Sequence, residues 1–409
     1  MPFTADDSAR CRADFPALRA SHGGMPLAFL DGPGGSQVPL AVIRAIEECY
    51  GGFNVNTHGN FPPSRELDRR LLEARRTVAA FLGAAGPESI SFGQNMTTLC
   101  FALSRAIGRT LAAGDEVLIT QLDHEANRGP WLSLAERGVV VREVRVKDSG
   151  ELDLDDMAAK ITARTKAFAL GASSNALGTV NDIGLARRLT DRVGALLIVD
   201  AVHYAPHFPI DMQALRIDFL LCSAYKFYGP HVGILCSRPG ALERLPTDRL
   251  DAQDPAAPYR IETGTLNHAA IEGVRAAVAY IAAQGRGADL RARVVDAMTG
   301  IAAYEHDLAA YYHDRVRRIP GVRVFGPSFD SPARAPTVSV ALDRRDAGAV
   351  ATALGDQGIC VWDGDFYAPR VVEALGLAGR GGLLRTGISL YNTRAEIDRL
   401  LSGIEALTD

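Results

Sequence analysis

From about Glu88 to Arg238 the chain alternates between two hydrophobic rhythms. Seven short β-rich runs ("SISF", "EVLI", "VVVREVRV", "KAFAL", "ALLIVD", "DFLLC", "VGILC") are separated in several places by stretches with helical spacing, such as "TTLCFALSRAIGRTL" and "DIGLARRLTDRVG". Strands that are apolar on both faces need cover on both faces, so the alternation predicts an α/β architecture with a mostly parallel sheet of seven strands between helices. After roughly Asn267 the pattern changes to long helical runs, Ala269 to Ala283 and Leu290 to Arg318. A smaller α+β pattern follows, with strands "VRVF", "PTVSVAL", "GICVW" and "LRTGISL" and a closing helix "TRAEIDRLLSGIEAL". The expected division is a large domain over 30–285 and a small domain built from 1–29 and 286–409.

At 409 residues, 47% hydrophobic and 22% charged, the chain can bury a substantial core. A formal charge of -4 without long charge runs gives no electrostatic footprint for nucleic acid or an anionic membrane, so a small molecule is the expected partner. The first residues, "MPFTADDSARCRADF", are polar and acidic where a signal peptide would be basic and then apolar, and no apolar run approaches membrane-spanning length. A cytoplasmic protein is expected. The six cysteines (11, 49, 100, 222, 236 and 360) show no Cys-x-x-Cys pair and no metal-site spacing, so they read as reduced thiols with no metal.

In open α/β sheets ligands sit beyond the carboxyl ends of the strands, where five features stand out. "SAYKFYGP" places Lys226 between two apolar runs, where it is either a solvated turn residue or an amine deprotonated by burial. Asp200 closes "ALLIVD", as a helix cap or as the partner of a buried cation. "FGQNMTTLCF" sets Asn95, Met96, Thr97 and Thr98 at a helix start, an ordinary cap or an anion cradle. His124 follows "EVLITQLD", and Asn175 lies in "ASSNALGTV" after another strand. Each has a bland reading. Together they supply a phosphate cradle, a stacking imidazole, a carboxylate and an amine, the four demands of pyridoxal 5'-phosphate (PLP).

The order and wording of these motifs resemble the class V aminotransferase family of fold-type I PLP enzymes, and within it the cysteine desulfurase and selenocysteine lyase branch. The resemblance runs from "DFPAL" and "AFLDGPGGSQVP" through "VDAVHYAPHFPIDMQALRIDFLLCSAYKFYGPHVGIL" and "IETGTLN" to "LRTGISLYNTRAEIDRL". It implies that Lys226 holds PLP as a Schiff base and moves the Cα proton, that Asp200 pairs with the pyridinium, and that His124 stacks on the ring. His203 would sit near the phenolic oxygen, and Thr97, Ser223 and backbone near Met96 would hold the phosphate, with Tyr225 where relatives usually have His. Gly264 and Thr265 would reach the phosphate of a partner subunit, implying a homodimer. Arg385 would clamp the substrate carboxylate with help from Asn175.

Desulfurases of this branch carry a nucleophilic cysteine on a loop. Counting forward from Gly358 and Ile359, that position falls on Tyr367 in "WDGDFY", a substrate-pocket residue by the same analogy. Cys360 lies inside "GICVW" and is expected to be buried and inert. The resulting expectation is Cα deprotonation of an amino acid followed by β-elimination, a carbon–sulfur lyase without an enzyme persulfide. Transamination and epimerisation on the same scaffold, and a non-catalytic PLP-binding protein, are the alternatives.

Overall fold

The computed structural model describes residues 3–331 and 333–408; residues 1, 2, 332 and 409, which belong to the expected small domain, lie outside the described residues. A short strand β1 (Ala28–Phe29) precedes the seven strands of the main sheet. These are β2 (Ile90–Gly93), β3 (Glu116–Thr120), β4 (Val140–Val144), β5 (Thr165–Gly171), β6 (Leu196–Asp200), β7 (Phe219–Ser223) and β8 (Gly233–Ser237). Their spatial order is β2-β8-β7-β6-β5-β3-β4. Only β8 runs against the rest, antiparallel to β2 and β7, so the sheet is mostly parallel as the apolar runs predict.

Alternation along the strands supplies two cores. Leu118, Phe168, Leu170, Leu197, Val199 and Leu220 pack on one face, and Val117, Ile119, Ala167, Ile198, Phe219 and Leu221 on the other. Helix α1 (Pro62–Leu82) ends in a left-handed Gly83. Helix α2 (Met96–Gly108) is capped by Asn95, whose side chain accepts the Thr98 amide at 2.9 Å. Helix α3 (Ile183–Asp191) begins at an Asp182 cap, and α4 (His268–Ala282) and α5 (Leu290–Val316) realise the two long helical runs. Among the described residues no helix is long and apolar enough to cross a membrane.

The C-terminal sheet has the order β9-β10-β13-β12, all antiparallel: β9 (Val322–Phe325), β10 (Thr337–Leu342), β12 (Trp362–Gly364) and β13 (Leu383–Gly387). "GICVW" is not one strand. It breaks at Val361 into β11 (Ile359–Cys360), which pairs in parallel with β1, and β12, which joins β13. The N-terminal segment is thereby stitched to the C-terminal one. Helix α6 (Arg394–Glu405) closes the chain with a Thr393–Glu396 capping box.

Candidate active site

The carboxyl ends of β3, β5, β6 and β7 face the antiparallel β12–β13 pair across a cleft of about 890 Å³. Met96, Thr97, His124, Asn175, Asp200, His203, Ser223, Tyr225, Lys226, Tyr367 and Arg385 all line it. Gly264 and Thr265 do not. They sit in an exposed loop between Glu262 and α4, with Gly264 at φ +75°.

Lys226 ends the short turn after β7, and its Nζ donates to the carbonyls of Pro33 and Gly34, the latter at 3.0 Å. Burial, and then the nearby Arg385 charge, lower its pKa from 10.5 to about 7. Asp200 is buried at the end of β6, where Oδ1 accepts the Val202 amide at 2.9 Å, and desolvation raises its pKa to about 6. No cation lies within ion-pairing distance of it among the described residues. His124 uses Nδ1 to accept the Ala126 amide at 2.9 Å, and burial lowers its pKa to about 4, so the ring is neutral near pH 7 with its other nitrogen carrying the hydrogen. The Met96 amide donates to Ser223 Oγ at 3.1 Å, joining the start of α2 to the end of β7. His203 is held from behind by Thr337 Oγ1 at 3.0 Å and meets His207 edge-on at 5.2 Å. Tyr225 lies flat on His231, ring centroids 4.7 Å apart.

Arg385, only 4% exposed, stands on β13 opposite Trp362. One Nη donates to the Asn175 carbonyl at 3.1 Å, the guanidinium lies 4.3 Å from the Phe366 ring, and Nε has no acceptor. Burial pulls its pKa down to about 9. No carboxylate pairs with it within 4.0 Å among the described residues. The cleft therefore holds a carboxylate without a cation and an arginine without an anion, two charges buried at a cost that a bound partner offsets.

The loop after β12 is fixed to the strand-end turns. Glu125 donates its amide to the Tyr367 carbonyl at 2.7 Å, Asn175 Nδ2 donates to the Phe366 carbonyl at 2.8 Å, and the Tyr367 ring stacks on His124 at 5.6 Å. Phe366 and Tyr367 are both left-handed, φ +57° and +56°, a strain that these contacts sustain. Several lining or adjacent residues escaped the sequence reading. Asp123 accepts the Gly171 amide at 2.7 Å and the Thr120 amide at 3.1 Å, and burial raises its pKa to about 7. Asp31 is also raised, by burial, and lies in the fields of Arg385 and Lys226. "LDH" and "FLDGPGG" were the available signals, each an acid at a strand end.

A family model, aminotransferase class V, matches residues 28–400. The chain belongs to the class V aminotransferase family. It is a PLP-dependent enzyme, and the residues fit that cofactor: a near-neutral buried lysine, an unpaired buried carboxylate and a Ser–helix-start cradle share one cleft. Family relatives include a cysteine desulfurase of Dickeya dadantii, 32% identical over 97% of this chain and 96% of that protein. A probable cysteine desulfurase of Streptomyces coelicolor is 33% identical over 98% and 96%. The cysteine desulfurase CsdA of Escherichia coli, in an S-sulfonic acid form, superposes with a TM-score of 0.85 at 26% identity and 98% coverage of both chains.

These relatives overturn the expectation of a lyase that works without an enzyme persulfide. They are named as desulfurases along nearly the whole chain, and one carries S-sulfonic acid chemistry. That expectation rested on a single loop position, Tyr367, and on a buried Cys360. Cys360 is instead partly exposed, alone among the six free cysteines, and pairs with Phe29 in the two-residue strand β11.

Proposed function

We propose that this family member is a cysteine desulfurase that moves the sulfur of a cysteine substrate onto its own Cys360. The supporting observation is the pair of unmatched buried charges, Asp200 and Arg385, in one cleft and both within electrostatic reach of Lys226. A pyridinium satisfies the first and an amino-acid carboxylate the second. Bound PLP supplies the electron sink that acidifies the substrate Cα–H. Lys226, poised near neutral pH, takes that proton and returns one. Arg385 orients the substrate carboxylate with Asn175; with PLP bound, His124 would contact its ring, and Thr97, Ser223 and the backbone near Met96 would hold its phosphate. His203, anchored by Thr337, would hold the cofactor on its phenolic side.

The balance is cysteine plus Cys360 thiol giving alanine plus Cys360 persulfide: one Cβ–S bond breaks and one S–S bond forms. Cys360 shares the field of Asp31, which also touches those of Lys226 and Arg385. Burial and Asp31 raise the thiol's pKa, so sulfur uptake accelerates as pH rises above neutral. The exposed loop with Gly264 and Thr265, unused by its own cleft, reads as the contribution to a partner's site in a homodimer, and six free thiols suit the cytoplasm. The β1–β11 pairing favours grouping residues 1–29 with 286–409, apart from a large domain over 30–285.

Intact-protein mass after turnover with cysteine, together with alanine and sulfide assays, tests this reading. The wild type should gain one sulfur and Cys360→Ala none. Alanine production without any adduct in the wild type, or an adduct that persists in Cys360→Ala, rejects the assignment.

A further inference from the structure

At the opposite end of the main sheet's strands, where β6 begins and the antiparallel β8 ends, a second cavity of about 550 Å³ opens, sharing no lining residue with the cleft. Its polar side is an alternating chain of charges, Arg216–Asp191–Arg187–Asp218–Arg238, with Arg187 2.8 Å from each carboxylate and Arg238 2.8 Å from Asp218. Each carboxylate is shared by two guanidiniums, and the chain ends in arginine on both sides. It therefore carries one net positive charge. Arg244 on the rim adds a second and makes no ion pair among the described residues. The central Arg187 side chain is 10% exposed, and its buried Nε has no acceptor. Ala84, Leu196, Met212 and Ile217 provide an apolar wall.

We propose that this cavity binds a small organic phosphomonoester, its phosphate on the arginines and its body against Met212 and Ile217. A dianion matches the two uncompensated charges, and guanidinium forks suit phosphate oxygens. Asp191 and Asp218 do not oppose it, since each is already held by two arginines. An apolar wall beside a few charged groups in a concave site is the make-up of a small-molecule site.

Calorimetric titration of the PLP-loaded protein, whose cofactor phosphate site is filled, tests this with AMP and inorganic phosphate as probes. AMP should bind once per chain and more tightly than phosphate. R244A and R216A, both at exposed positions, should each weaken AMP by about fivefold or more, the scale of one charge-assisted contact, while leaving the cofactor absorbance unchanged. No saturable AMP binding overturns the proposal, as does AMP binding that neither variant alters. Phosphate binding as tightly as AMP also overturns it, because the apolar wall would then play no part.

Discussion

Lys226 answers the question raised by a lone lysine between two buried strands. Its ammonium is desolvated, and its pKa falls to about 7. In the cofactor-free protein this has a definite sign. Between about pH 7 and the ordinary lysine value of 10.5, the unfolded chain holds a proton that the folded chain has released, so stability rises with pH across that window. Lys226→Met removes the burden, and its stability advantage over wild type should narrow as pH climbs from 7 towards 10.5 and stay constant below 7. Urea midpoints at a series of pH values read this directly; a gap independent of pH across the window contradicts it. Arg385 supports a second expectation. A point charge cannot reproduce its fork, so Arg385→Lys should raise KM by on the order of tenfold or more while the cofactor absorbance band stays intact. Unchanged steady-state kinetics would remove Arg385 from substrate recognition.

Among elements, the loop after β12 depends on contacts from two other strand ends. Phe366 and Tyr367 keep left-handed backbones because Asn175 and Glu125 hold their carbonyls. Non-glycine residues there store about 1–3 kcal/mol each, which is released once the clamp goes. Asn175→Ala should therefore speed amide exchange across 364–368 and leave β5 to β7 protected. Unaltered exchange in that loop would assign its conformation to other contacts. The loop carrying Gly264 and Thr265 depends in the same way on Glu262, which receives both Nη groups of the buried Arg75, at 2.7 and 2.8 Å, and the Phe92 amide. Glu262→Ala leaves a buried arginine unpaired, a loss of roughly 3–5 kcal/mol in denaturant unfolding. A loss under about 1 kcal/mol would mark the pair as no better than a surface ion pair.

At the scale of the molecule, the main sheet and the C-terminal helices are joined by buried polar contacts as well as apolar ones. His207, after β6, bonds Glu305 in the middle of α5 at 2.7 Å, and burial raises the glutamate's pKa. Glu305→Ala should lower global stability by about 2–4 kcal/mol, while Glu305→Gln, which keeps a partner for the imidazole, should cost less than half of that. Equal losses in the two variants would mean that packing volume, not the bond, is what counts. The assembly follows from the order of the strands in space: the neighbouring strands β3, β5, β6 and β7 deliver His124, Asn175, Asp200 and Lys226 from their carboxyl ends, and the antiparallel β12–β13 pair brings Arg385 across from the other sheet.

The sequence alone determined the parallel sheet, because doubly covered strands must be apolar throughout, and it pointed to Asp200 and Lys226 in the cleft, because polar groups that end such strands have few other reasons to be there. It also carried the family's fold and cofactor in the wording around Lys226. Tertiary structure decided what depends on contacts between distant segments. The break of "GICVW" at Val361 follows from β11 pairing with β1 instead of continuing into β12. Asp31 and Asp123 became visible only when folding placed the first within the fields of Arg385 and Lys226 and the second against the Gly171 amide, since an acid's role is set by the charges and amides that surround it, and those come from other parts of the chain.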